Sequence, residues 1–131
     1  MTTGHFQGNT LAPGEKRYRL AQLANELRNG LVDAEMVNWV KKFNEIEWLC
    51  TTQCCCGHGK NDGRRAHIDF RSERPVSAMV NMIRKAGWTS LELALEENSL
   101  QYRVWLGHCR TPLVDVPRML QKLYDTLRAH P

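Results

Sequence analysis

Two stretches of this chain alternate strictly between apolar and polar side chains. Ala66, Ile68 and Phe70 are interleaved with His67, Asp69 and Arg71, while Leu100, Tyr102, Val104 and Leu106 are interleaved with Gln101, Arg103 and Trp105. Successive side chains on a strand point to opposite faces, so each stretch predicts a strand with one face on a core and one face polar. Leu91, Leu93 and Leu95 alternate in the same way with Ser90, Glu92 and Ala94, and Asn98-Ser99 supplies the turn of a hairpin. A fourth strand is read in Trp48-Leu49-Cys50-Thr51-Thr52, aromatic and β-branched, running into the cysteines that follow.

Helical spacing fills the gaps between these strands. Leu20, Leu23, Ala24 and Leu27 lie on one face of a helix over 15–29, and Gly30 follows where a left-handed cap would sit. Asp33 precedes a second helix with Met36, Val37, Val40 and Phe43 in register, and the short connection predicts a helical hairpin over 15–45. Val76, Met79, Val80 and Ile83 form a third stripe between Pro75 and Gly87; Val116, Leu120, Leu123 and Leu127 form a fourth after Asp115. The expected architecture is α+β: a two-layer sandwich in which a four-stranded, mainly antiparallel sheet (ββαββα, 46–131) carries two helices on one face. The N-terminal hairpin covers the other face, packs at an edge or meets a partner chain. Residues 1–14 read as a loosely held leader, and 15–131 as a single domain.

Composition bounds the function classes. At 131 residues, 42% apolar and 24% charged, the chain is that of a globular protein, with no apolar run long enough to span a bilayer and no signal-peptide pattern at Met1-Thr2-Thr3. A cytoplasmic location with reduced thiols and no membrane partner is the expectation. Of five cysteines, Cys50, Cys54, Cys55 and Cys56 fall within seven positions, which suits local ligation better than a disulfide framework. The net charge of +4 permits an anionic partner without demanding one.

Chemistry-bearing residues crowd into 54–65. On a regular strand Cys50, Cys54 and Cys56 project to one side with His58, and Cys55 to the other. Strand neighbours on one side are about 6.5–7 Å apart, too wide to close on one ion. The workable zinc set is therefore Cys54 or Cys56 with His58, completed by His67 or by His108 and Cys109. Zinc is a candidate cofactor on that ground; buried structural cysteines are the plainer reading. Gly57 and Gly59 let backbone N–H groups approach an anion, and Lys60, Arg64 and Arg65 add charge, though the run lacks the Walker pattern and a solvated hairpin turn explains it equally well. Arg71, Arg103 and Trp105 on the polar sheet side extend this set to a surface for a nucleotide or single-stranded nucleic acid.

Three function classes follow. The first is a non-enzymatic binding protein for a phosphate-bearing ligand. The second is a phosphodiesterase or nuclease, histidine- or metal-dependent: His67-Ile68-Asp69 and His108-Cys109-Arg110 loosely resemble the His-x-Thr/Ser pairs of paired-histidine phosphoesterases, with the serine or threonine absent from both. That resemblance would make His67 and His108 the acid and base. The third is an interaction subunit of a homo-oligomer.

Overall fold

A computed structural model describes residues 9–12, 14–55, 66–88, 90–96, 99–106 and 115–129, with the backbone alone at 55, 94–96 and 99. Helix α1 spans Glu15–Arg28; a 3-10 turn at Ala34–Met36 leads into α2, Val37–Phe43. The strands are β1 (Leu49–Cys55), β2 (Ala66–Ser72), β3 (Leu91–Glu96) and β4 (Ser99–Leu106), with α3 (Val76–Lys85) between the two hairpins and α4 (Val116–Arg128) last.

The fold class is α+β, built on a four-stranded sheet of order β1-β2-β4-β3. All three pairings are antiparallel. Each hairpin contributes its second strand to the centre, so β2 and β4 meet, with Ile68 opposite Val104 and Asp69 opposite Arg103. This pairing puts the two alternating stretches of sequence side by side and merges their apolar faces. Ile68, Phe70, Tyr102, Val104 and Leu106 are 0% exposed and join Met79 and Ile83 of α3 and Leu120, Leu123 and Leu127 of α4 in one core. Phe70 and Tyr102 stack at 5.4 Å between centroids, a ring geometry that adds to plain burial. Gly30 and Gly87 take positive φ, 67° and 96°, where the α1 and α3 stripes end, a conformation that side chains with a Cβ resist.

The two N-terminal helices serve different faces. Val40 and Phe43 of α2 enter the core, and Phe43 meets Tyr124 of α4 edge-on at 5.6 Å. Helix α1 packs on β1 and buries no residue completely. Leu20 and Ala24 of its anticipated apolar face are exposed, while Leu23 and Leu27 are half-buried. Leu23 packs against the core, and the remaining fastening of α1 is polar. The Lys16 ammonium donates to the carbonyls of Asn44 (2.9 Å), Ile46 (2.6 Å) and Glu47 (3.2 Å) just past the end of α2, a site where helix carbonyls lack partners and cations are favoured.

Of the anticipated leader, Thr10 and Leu11 are not loose. Both backbone N–H groups donate to the Ser72 carbonyl at 3.0 Å, Thr10 Oγ1 accepts from Ser72 N–H at 2.8 Å, and Leu11 is 0% exposed. A lone leucine without neighbours at strand or helix spacing gives no periodic signal, which is why the sequence pattern missed it. Among the described residues no helix is long and apolar enough to cross a membrane.

Candidate functional site

The polar side of the central strands is a connected network. Asp69 is 0% exposed. Its carboxylate accepts from Arg103 Nη2 at 2.8 Å and Nε at 2.9 Å, from Gln101 Nε2 at 2.9 Å, and it meets His67 Nδ1 at 3.1 Å. Burial by itself would raise its pKa; the hydrogen bonds and charges of His67 and Arg103 outweigh that and hold the carboxyl below its ordinary value. Arg103 Nη2 also reaches Gln53 Oε1 of β1 at 3.4 Å. The network therefore ties β1, β2 and β4 together on the side away from the core.

Trp105 stands beside His67 as its Cα partner, the rings edge-on at 5.2 Å, and the Arg103 guanidinium lies 5.3 Å from the Trp105 ring. Trp105 is half-buried and pinned by Ser90, which accepts its N–H at 3.1 Å and donates Oγ–H to its carbonyl at 2.9 Å. At this end of the sheet Ala66 pairs with Leu106, and Cys55 with His67. Residues 56–65 connect Cys55 to Ala66, and residues 107–114 follow Leu106. Both chemistry-bearing segments thus attach beside the His67–Trp105 pair.

Helix α1 roofs the polar face over β1, and a groove runs between them. One part, about 450 Å³, is lined by Arg19, Gln22, Asn25, Gln53, Arg71 and Gln101. The adjoining part, about 270 Å³, is lined by Leu23, Leu31, Val32, Val40, Cys54 and His67. Arg71 sits four residues from His67 on β2, about 13 Å along the strand, and its Nη1 donates to Glu15 Oε2 at 2.7 Å. The structure thus brings His67, Arg103 and Trp105 together and leaves Arg71 at the far end of the face. Sequence reasoning missed Asp69 as the organising acceptor and the α1 side of the groove. An uncommon aspartate in the middle of an otherwise central strand is the signal that could have found the former.

The cysteine reading is corrected at one point. The β1–β2 register shifts between Thr51 and Gln53, a bulge with Thr52 as the extra residue, and a one-residue slip exchanges the faces of everything beyond it. Cys50 accordingly partners Arg71 on the polar side, whereas Cys54 partners Ile68 and packs against the core. Cys54 and Cys50 therefore do not share a side of the strand, although Cys54 still borders the part of the groove that His67 lines. Burial pushes the Cys50 thiol above its ordinary pKa, with Lys16 and Arg19 offsetting part of that. Among the described residues no group of three His, Cys, Asp or Glu is placed to hold a metal. Cys56, Gly57, His58, Gly59, Lys60, Arg64, Arg65, His108 and Cys109 lie outside the described residues.

No family model matches the chain, and a search of curated proteins returned no match. Among solved structures, the PH1069 protein from Pyrococcus horikoshii is similar, with a TM-score of 0.48 and 15% sequence identity over 86% of this chain and 90% of that one. A likeness at that level carries no residue role across.

Proposed function

We propose that the chain is a non-enzymatic binding protein for a phosphate-bearing ligand, a nucleotide or short single-stranded nucleic acid, taken up where residues 56–65 and 107–114 attach to the sheet. The observation that supports this reading is the half-buried His67–Trp105 pair with Arg103 against the indole, all at that end. An aromatic platform flanked by a guanidinium suits a base, whose π-face stacks without demanding sequence. Gly57, Gly59, Lys60, Arg64 and Arg65 would meet the phosphate. A zinc ion on Cys56, His58, His108 and Cys109 would tie the two segments together.

The test is a titration with nucleotides and a short oligonucleotide by calorimetry. Lys60→Ala, Arg65→Ala and Trp105→Ala each weaken binding while leaving the unfolding midpoint in place. Unchanged affinity in all three removes the reading.

One contact favours a second reading, a histidine-dependent phosphodiesterase. Asp69 takes the His67 Nδ1–H, which leaves Nε2 as the nitrogen for proton transfer, the arrangement that a general base requires. Turnover of phosphodiesters that disappears in both His67→Ala and His108→Ala would establish it over simple binding. Exposed Tyr18 and Leu20 of α1, at 64% and 37%, with Leu31 just beyond the helix at 71%, support self-association through this part of the surface, which light scattering measures directly.

A further inference from the structure

Glu15, the first residue of α1, sends its carboxylate down to the sheet. Oε1 accepts from the Ala12 N–H at 3.0 Å. Oε2 takes two guanidiniums at once, Arg71 Nη1 at 2.7 Å and Arg19 Nε. Two arginines converging on one oxygen from different elements form a receptor for an oxyanion, because each guanidinium offers several fixed donors and stays charged. The Arg71 side chain is 4% exposed, those of Arg19 and Glu15 20% each. An ion pair kept for stability alone gains from having the space around it filled. Here the pair borders the 450 Å³ part of the groove, whose walls add the amides of Gln22, Asn25, Gln53 and Gln101, with Glu26 the one further charged group in that lining.

We propose that Arg19 and Arg71 form an oxyanion subsite, occupied in the empty protein by Glu15, and that a small ligand bearing a phosphate or carboxylate displaces Glu15 while the groove amides hold its polar body. The carboxylate is tethered one turn from Arg19, so its effective concentration at the subsite is high, in the millimolar range or above. Free anions therefore enter the parent protein only at high concentration, and a ligand binds tightly by adding contacts beyond its charge. Helix α1 buries no residue completely, and the Glu15 side chain itself keeps 20% exposure, so the carboxylate has room to move aside. This subsite is at the Arg71 end of the face and does not depend on residues 56–65.

Calorimetric titration with inorganic phosphate and with acetate tests it. Glu15→Gln binds at least one of the two about tenfold more tightly than the parent protein, the gain from losing a charged competitor, and adding Arg71→Lys to that variant abolishes the gain. Equal affinity in the parent and Glu15→Gln overturns the proposal. Should Glu15→Gln fail to fold, hydrogen exchange on the parent protein decides. Rising phosphate speeds exchange at the Ala12 amide, which loses its acceptor, and an unchanged rate overturns the proposal equally.

Discussion

Asp69 and Arg103 are Cα partners in the β2–β4 ladder, and the carboxylate grips the guanidinium through both Nη2 (2.8 Å) and Nε (2.9 Å). The pair is asymmetric: Asp69 has no exposure, whereas the Arg103 side chain keeps 20%. The carboxylate is fully committed to its neighbours, and the arginine still presents an edge to solvent beside Trp105. A central strand tolerates a buried acid only on such terms, since an unpaired one would cost several kcal/mol.

Replacing Asp69 with Asn therefore leaves Arg103 and His67 without their anion inside the network. The expected loss is about 3 kcal/mol, the scale for breaking a buried pair by removing one partner. Urea denaturation measures it as a fall in midpoint at unchanged slope; a variant as stable as the parent would mean that the network contributes nothing net.

Acid sensitivity follows from Asp69 and Glu15. Burial acts to raise both carboxyls, but Asp69 is held down by His67 and Arg103, and Glu15 by the Ala12 N–H, Arg19 and Arg71. Their folded values lie below the ordinary 3.8 and 4.5, so each contributes stability that is fully present above those values and drains away as pH falls through the folded ones. The unfolding midpoint plotted against pH should drop through that window in the parent and more gently in Asp69→Asn and Glu15→Gln. Parallel curves would reject the assignment.

The periodic signal fared best where burial is one-sided. Ile68, Phe70, Tyr102 and Val104 could be placed on the core because a two-residue period has only one solution when one face is dry. Thr51-Thr52-Gln53 carries no glycine or proline to mark a bulge, so the slip that separates Cys50 from Cys54 left no trace in the pattern. The role of α1 was hidden for a different reason. Of its leucines Leu23 does pack against the core, yet Lys16, Glu15 and Arg19 add fastening through partners up to 56 positions away, and local periodicity holds no information about such contacts.

Lys16 gives this polar docking its own test. Lys16→Met keeps the length of the stem but abandons the three carbonyls after α2, for an expected loss of about 2 kcal/mol, the range of a charge-assisted hydrogen bond to a partly buried acceptor. The effect should be local first: amides of α1 exchange faster with solvent while those of β2 and β4 hold. Uniform loss of protection would mean that α1 is integral to the core after all.

Thr52 poses the converse case, a polar atom with no partner among the described residues. Among the described residues its Oγ1 is buried with no hydrogen bond, at the residue that the bulge inserts between Thr51 and Gln53. Leaving a hydroxyl dry and unsatisfied costs about 1–3 kcal/mol, whereas a methyl of the same size belongs there. Thr52→Val should raise stability by about 1 kcal/mol, with part of the gain lost to imperfect packing. The register must survive, because Gln53 stays opposite Asp69 and Cys54 opposite Ile68. Denaturant midpoints with cross-strand NMR contacts between Gln53 and Asp69 check both halves. A destabilised Thr52→Val would show that this hydroxyl has a partner that matters to folding.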